Sequence, residues 1–305
     1  MKRYYNITKC ALIIISAVIT TSLKAQEPDP AVMKMMPDIP AEITEPPQRA
    51  EYLSLHFWDK FDFDNTSFFT DDKLPERCFV DFIDLLSIVP AETMEQSIGV
   101  LLKRSEASKT VFSLILKLSE RYLYEPESPV CDEEKLIPFM QYALQSSMLD
   151  DIEKFRPRFL LENISTNRLG TVANNFDYML MNGESGNLYS VETEYTLLYF
   201  NDPECEDCAM LIKRLSASNV INVLIGQGKL KVLTAYVNDD VEAWKKHASE
   251  IPGSWIYTRD AEQKIIIQSL YNIKRFPTMY LLDKDKKVLL KDTTFEILEG
   301  YFGNL

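Results

Sequence analysis

The chain has 305 residues, of which 26% are charged, and its formal net charge at pH 7 is −13. This length predicts about two domains, each able to bury a core of its own. The acidic balance argues against nucleic acid and anionic membrane surfaces as partners, because both carry negative charge themselves.

The first segment, residues 1–25, has the features of an export signal. Lys2 and Arg3 form a basic start, residues 11–20 are an apolar run, and a small residue precedes the expected cleavage point before Gln26. The run is shorter than the ~20 residues of a membrane span, although an uncleaved anchor is an alternative. We expect the protein in the periplasm or cell envelope, where disulfides persist. Removing the segment takes away four cations and leaves a charge of −17.

Two regions of different character follow. Residues 26–47 are acidic, rich in proline and without periodicity, so we predict a Pro-rich linker that forms an extended tether. Residues 48–166 have the apolar spacing of helices, seen in the faces Phe79-Phe82-Ile83-Leu86, Val111-Leu114-Ile115-Leu118 and Leu136-Phe139-Met140-Ala143. We predict an all-α domain of roughly five or six helices, whose function is unknown.

The pattern changes near Gly170, and residues 167–305 alternate between β-rich runs and helical patterns. The predicted strands are residues 188–191, 195–200, 230–237, 278–282 and 287–291. The predicted helices are residues 205–226 (with a break near 216–218), 241–249, 261–271 and 295–302. The fold class is therefore predicted to be an α/β C-terminal domain preceded by an all-α N-terminal domain.

The motif Cys205-Glu206-Asp207-Cys208 lies between a predicted strand and a predicted helix. Two thiols at this spacing can close a small, reversible disulfide, and the N–H groups of a helix N-terminus favour a thiolate. We predict that Cys205, at the exposed strand end, attacks a substrate disulfide and that Cys208 resolves the mixed disulfide. A static disulfide and half of a zinc site are the alternatives. No second CxxC or His pair supplies further zinc ligands, so we expect no metal.

Negative charge surrounds the first cysteine. Glu206 and Asp207 follow Cys205 directly, and Glu204 precedes it. Like charge disfavours ionisation of a thiol, and a stable thiol is a poor leaving group from a disulfide. We therefore expect Glu206 and Asp207 to tune the redox chemistry towards a reductant role rather than an oxidase role.

Three separated motifs make residues 165–305 resemble the thioredoxin superfamily, and in particular the envelope thiol:disulfide oxidoreductases related to TlpA and ResA. The first is the opening segment at residues 170–176, the second is the strand–CxxC–helix unit, and the third is Phe276-Pro277-Thr278. Pro277 follows Cys208 by 69 residues, where this family has a cis-proline loop facing the thiols. The helical half resembles an uncharacterised domain that precedes thioredoxin domains in bacterial envelope proteins.

The resemblance implies a thioredoxin-like fold that works without a cofactor and has a cis Pro277 as a third member of the active site. It implies that Phe276, the residue before the proline, offers backbone groups to a substrate strand, with Glu204 and Thr278 beside it. An ordinary trans-proline at the first residue of a strand is the alternative. The chain also departs from the family pattern, since Glu204 stands where Trp is common and Tyr199 where a buried Asp or Asn is common.

These observations predict an exported thiol:disulfide oxidoreductase of reductase or isomerase type. Its partners would be disulfide-containing protein substrates and an unidentified electron donor. The alternative is a redox-silent thioredoxin-fold binding or scaffold protein, in which the helical domain docks a protein partner. Cys78 and Cys131, in the helical half, would either form a bridge or remain two buried thiols.

Overall fold

The computed structural model describes residues 30–303, and the chain divides after Leu161 into two compact units. The first unit is helical and the second is built around a mixed β-sheet. The predicted fold class, an all-α region followed by an α/β domain, is therefore confirmed. The predicted export signal lies outside the described residues.

The helices of the first unit are short and follow one another closely. In chain order they are α1 Pro30–Met35, α2 Pro46–His56, α3 Thr66–Asp71, α4 Leu74–Leu85, α5 Ala91–Ser105, α6 Lys109–Leu123 and α7 Glu133–Gln145. Helix α8, Phe155–Ser165, crosses the division between the units. Seven helices thus start between residues 46 and 155, where five or six were expected, because α3 is too short for its periodicity to be recognised in the sequence.

The segment expected to be an extended tether contains regular structure. Helix α1 lies within it and buries Val32, and α2 begins at Pro46. Proline is tolerated in the first turn of a helix, where its missing N–H would have had no partner. The prediction of an extended tether was therefore wrong for the parts of this segment that form α1 and the start of α2.

The core of the helical unit is aromatic. The predicted face of α4 is buried, with Phe79 and Phe82 at 0% exposure. Trp58 packs against Phe82 with ring centroids 5.5 Å apart, and Phe57 against Phe82 at 5.3 Å. This cluster, which also includes Phe61 and Phe63, is core rather than a docking surface.

The second unit has a seven-stranded sheet in the order β2-β1-β5-β4-β3-β6-β7. The strands are β1 Asp177–Leu180, β2 Ser185–Asn187, β3 Tyr195–Asn201, β4 Leu230–Tyr236, β5 Ile256–Arg259, β6 Thr278–Leu282 and β7 Val288–Leu290. The helices are α9 Glu206–Ala217, α10 Asn219–Gly226, α11 Val241–His247, α12 Lys264–Ile267 and α13 Phe295–Gly303.

Strand β3 is central and carries the chain to the cysteine motif. It runs parallel to β4 and antiparallel to β6, with Phe200 opposite Thr278. Because paired strands lie about 5 Å apart, the segment after β3 and the segment before β6 meet at one edge of the sheet. The register therefore brings the cysteine motif next to Pro277.

The two faces of β3 belong to two different cores, as strand alternation requires. Leu198 and Phe200 pack into one buried cluster. Leu197 and Tyr199 pack into the other, which also contains Cys208 of α9. Tyr199 and Cys208 are thus on the same side of the sheet.

Parts of the second unit differ from the prediction. Residues 188–191 were expected to form a strand, but Leu188–Ser190 is a 3₁₀ turn capped by the Asn187 side chain. The helix expected at 261–271 is only as long as α12, and strands β1, β2 and β5 were not predicted. Among residues 30–303 no single helix is long and apolar enough to cross a membrane, although the bent pair of α9 and α10 passes that test when joined.

Candidate active site

Cys205 is placed by a tight turn between β3 and α9. The Asp202 backbone carbonyl accepts a hydrogen bond from the Cys205 N–H at 3.1 Å, and its side-chain Oδ1 accepts one from the Glu204 N–H at 2.9 Å. The second carboxylate oxygen of Asp202 accepts a hydrogen bond from Asn238 Nδ2 at 2.7 Å. Asp202 therefore fixes the turn through both its backbone and its side chain. Cys205 is the N-cap residue of α9.

The two sulfurs sit in different environments. Cys205 is half-buried, while Cys208 is only 1% exposed. The Cys208 N–H donates to the Cys205 Sγ at 3.2 Å, which is the hydrogen bond that an N-cap side chain accepts. Burial raises the pKa of the Cys208 thiol to about 12. The Cys205 sulfur is therefore accessible to a substrate, whereas the Cys208 sulfur is buried and is not.

The loop before β6 faces Cys205. The Phe276–Pro277 peptide bond is cis, so the expected cis geometry is confirmed, and the Phe276 carbonyl oxygen lies 3.6 Å from the Cys205 Sγ. Phe276 and Pro277 are both half-buried. Thr278 is buried, and its hydroxyl donates to the Arg275 carbonyl oxygen at 2.7 Å. A substrate contact at Thr278 would therefore involve its backbone rather than its side chain.

Three exposed carboxylates surround the motif. Glu204, Glu206 and Asp207 are all exposed, and we call them the acidic rim. Glu206 and Asp207 lie in the first turn of α9, where negative charge is favourable for the helix. The same charges create a negative potential around the accessible sulfur.

Comparison with known proteins places this arrangement in a family. A family model described as thioredoxin-like matches residues 193–288, and a domain of unknown function (DUF5106) matches residues 16–167. A thioredoxin-like protein from Bacteroides caccae, known from its crystal structure, is 39% identical over 88% of this chain and 97% of its own, with a TM-score of 0.85. The chain belongs to the thioredoxin-like proteins. The predicted resemblance, including a helical domain of unknown function ahead of the thioredoxin-like one, is thereby confirmed.

Two further solved structures are similar to one half of this thioredoxin-like chain. The C-terminal domain of an uncharacterised protein from Bacteroides fragilis is 46% identical over 45% of this chain and 99% of its own, with a TM-score of 0.45. A thiol-disulfide oxidoreductase from Bacteroides fragilis is 22% identical over 44% of this chain and 98% of its own, with a TM-score of 0.38. No curated protein matches the chain.

Sequence reasoning assigned no role in the site to three residues that the structure brings there, although it noted Tyr199 as a departure from the family pattern. Asp202 and Asn238 support the turn, and the Tyr199 hydroxyl donates to the Cys208 carbonyl oxygen at 3.0 Å. Asn238 follows β4, the parallel neighbour of β3, and the ends of parallel strands meet at one edge. That rule could have indicated Asn238 from the sequence. No sequence pattern, however, indicates that the Tyr199 hydroxyl reaches the Cys208 carbonyl oxygen.

The remaining cysteines of the described chain lie in the helical unit. Cys78 is buried in α4 and Cys131 is exposed just before α7. Of the two alternatives, that of two buried thiols is wrong, because Cys131 lies at the surface. Among residues 30–303 no group of three or more His, Cys, Asp or Glu side chains could hold a metal ion.

Proposed function

We propose that this thioredoxin-like protein is an exported thiol:disulfide oxidoreductase of reductase or isomerase type. The observation that carries the proposal is the pairing of an accessible sulfur, Cys205, with a buried one, Cys208, at the start of a helix, with the Phe276 carbonyl oxygen 3.6 Å from the first. A structural disulfide needs no such difference in accessibility. The family assignment supports a general redox function.

The chemistry divides between the two thiols. The Cys205 thiolate attacks one sulfur of a substrate disulfide, so an S–S bond to the substrate forms and the other substrate sulfur leaves as a thiolate. The Cys208 sulfur then attacks Cys205, which closes the Cys205–Cys208 disulfide and releases the second substrate sulfur. Two protons leave the protein and two are taken up by the substrate thiolates. An electron donor, itself a dithiol, returns the pair to the reduced form.

Substrate binding is assigned to the surface beside Cys205. Phe276 is half-buried and presents a backbone carbonyl there, which supports the addition of an extended substrate segment by main-chain hydrogen bonding. Pro277 shapes the loop, and Glu204, next to Cys205 in the chain, is exposed. A protein disulfide in an extended or unfolded segment is the substrate class that fits this surface.

We infer the direction of electron flow from the environment of the two thiols. Glu206 and Asp207 place negative charge next to the motif, and burial disfavours the Cys208 thiolate. A dithiol that is poorly stabilised as a thiolate is a stronger reductant than one whose thiolate is stabilised. We therefore assign the reductase or isomerase direction. A reduction potential close to that of strong oxidants, about −120 mV, would contradict this assignment.

Insulin reduction with dithiothreitol as donor tests the activity. The wild-type protein should accelerate precipitation of the insulin B chain, and Cys205→Ser should abolish the acceleration. Cys131→Ser is the matched control, because it removes an exposed cysteine from the helical unit and should leave the rate unchanged. Equal behaviour of the wild type and Cys205→Ser would favour the scaffold alternative, in which the thioredoxin-like domain is redox-silent.

Export is proposed from the sequence of residues 1–25 alone. Expression of the full chain in a bacterium with a periplasm should yield a protein whose intact mass corresponds to a start at Gln26. The processed protein should be released with the periplasmic fraction. A full-length mass with all activity in the cytosolic fraction would refute export and leave the exchange chemistry untouched.

A further inference from the structure

A buried tyrosine lies directly beneath the resolving cysteine. Tyr199 is 0% exposed, and its hydroxyl donates to the backbone carbonyl oxygen of Cys208 at 3.0 Å. It comes from the central strand β3, whereas Cys208 is in the first turn of α9. Trp255 packs edge-on to its ring at 6.3 Å. The hydroxyl is thus held against the backbone of the residue that carries the buried sulfur.

The same tyrosine also acts on the sulfur, because Tyr199 and Cys208 belong to one buried cluster. Burial raises the pKa of the Cys208 thiol to about 12, and the hydrogen bond from Tyr199 opposes that rise by favouring the thiolate. The other groups that act on this sulfur are the Asp202 backbone, which also favours the thiolate, and Cys205, which disfavours it. Tyr199 is therefore the side-chain donor that assists ionisation of Cys208.

We propose that Tyr199 is a positioning residue for the resolving step, whose hydroxyl hydrogen turns from the Cys208 carbonyl oxygen to the Cys208 sulfur as that sulfur ionises. The proposal rests on the proposed exchange at Cys205 and Cys208 and assigns to one further residue the support of the second thiol. The hydroxyl needs only to rotate about its C–O bond, so no backbone movement is required.

Tyr199 acts as a donor and not as a base. Burial, followed by the nearby Cys208 thiol, raises the pKa of Tyr199 well above its ordinary value, so the hydroxyl keeps its proton. The proton lost by Cys208 goes to solvent. The Cys208 sulfur forms the S–S bond with Cys205, the bond between Cys205 and the substrate breaks, and the leaving substrate thiolate takes up a proton from solvent. Atoms and electrons balance without a further reactant.

A small aromatic disulfide, dithionitrobenzoate, separates the two steps in a stopped-flow experiment. Attack by Cys205 releases one thionitrobenzoate, and resolution by Cys208 releases a second, so the absorbance rises in two phases. Tyr199→Phe should leave the first phase unchanged and slow the second by about tenfold or more, the effect of losing one hydrogen bond to a charged group. The pH profile of the second phase should move to higher pH by about one unit.

Tyr271→Phe is the matched control. Tyr271 is also buried, and its hydroxyl also donates to a backbone carbonyl oxygen, that of Asn174 at 2.6 Å, but it packs in the cluster on the opposite face of the sheet. Both variants lose one buried hydrogen bond, so their thermal stabilities should fall by similar amounts. Only Tyr199→Phe should change the second phase.

A second substitution keeps the test decisive if Tyr199→Phe folds poorly. Fluorotyrosine at position 199 retains the hydroxyl and makes it more acidic, so it is a stronger donor and should shift the second-phase profile to lower pH. A second phase with the same rate and pH profile in the wild type and in both Tyr199 variants would overturn the proposal. Because the aromatic disulfide needs no protein-binding surface, this result would be distinguishable from a failure to act on insulin.

Discussion

The Cys205 sulfur lies 3.6 Å from the Phe276 carbonyl oxygen, although 71 residues separate the two in the chain. The antiparallel register of β3 and β6, with Phe200 opposite Thr278, creates this contact. A substrate sulfur bonded to Cys205 must therefore lie beside the backbone of the loop that carries Phe276. In the proposed exchange, attack and substrate recognition would therefore take place at the same edge of the sheet.

The Phe276 side chain offers a first test of substrate recognition. Its half-buried ring packs against the cores on both faces of the sheet. Phe276→Ala should raise the KM for a protein disulfide by about tenfold, equivalent to ~1.4 kcal/mol of lost contact. Phe276→Leu, which retains apolar surface, should lie between Ala and the wild type.

The rate with dithionitrobenzoate is the internal control for Phe276, because a small disulfide does not need the loop surface. It should change little in either variant. Equal losses towards insulin and towards the small disulfide would mean that Phe276 supports the thiols rather than the substrate.

The acidic rim should select substrates by charge. A disulfide peptide with flanking lysines should react faster with Cys205 than the same peptide with flanking glutamates, because the rim concentrates positive charge near the sulfur. The difference should shrink as salt is added, since exposed charges are screened over about 10 Å at 0.1 M ionic strength. Glu206→Gln should narrow the preference, whereas Glu192→Gln, an exposed carboxylate ahead of the opposite end of β3, should leave it unchanged. If the preference for the lysine-flanked peptide changed neither with added salt nor in Glu206→Gln, selection by charge would be contradicted.

The turn before the motif depends on Asp202. Its carboxylate accepts hydrogen bonds from the Glu204 N–H and from Asn238 Nδ2. Asp202→Ala should lower the unfolding free energy by about 1.5–3 kcal/mol, the range for a hydrogen bond to a charged group, and should slow attack by Cys205. Asp202→Asn retains an acceptor for the Glu204 N–H, so it should lose less unfolding free energy and less of the rate of attack by Cys205.

A double-mutant cycle separates the two contacts of Asp202. Asn238→Ala breaks only the side-chain pair, so Asp202→Ala with Asn238→Ala should be less destabilising than the sum of the single changes. Strict additivity in urea unfolding would show that the pair is not coupled.

Much of the scaffold around the site could be predicted from sequence, and the reason is physical. Strands β3, β4 and β6 are buried on both faces, so they appear as continuous apolar runs that are bounded by turns. The break between α9 and α10 is marked by Ser218, whose side chain caps the second helix. These features are local, and they were predicted correctly.

Other features depend on tertiary contacts and could not be predicted in this way. Strand β5 has only four residues, and its pairing with β1 and β4 is what makes it a strand. Conversely, the apolar run at residues 265–267 was expected to lie in a longer helix over residues 261–271, but the chain turns at Ser269, which has a φ of 50°. The inward Thr278 side chain and the reach of Tyr199 to Cys208 likewise result from how the elements pack.

Burial of Cys208 should make the reduced protein sensitive to alkaline pH. Its pKa is raised from an ordinary 9.0 to about 12 in the folded state. The unfolded chain therefore releases a proton above pH 9 that the folded protein keeps. The stabilising contribution is complete below pH 9 and is lost as the pH rises towards about 12.

Urea unfolding of the reduced protein across this range measures the effect. The unfolding free energy should fall with pH by up to about 1.4 kcal/mol per unit from this one thiol, in addition to the similar effect of buried tyrosines such as Tyr199 and Tyr271. Cys208→Ala removes the thiol but leaves those tyrosines, so it should be less stable at neutral pH yet show a shallower decline. Parallel declines in the two proteins would show that Cys208 ionises as easily in the folded state as in the unfolded chain, and that the second sulfur is not protected by its burial.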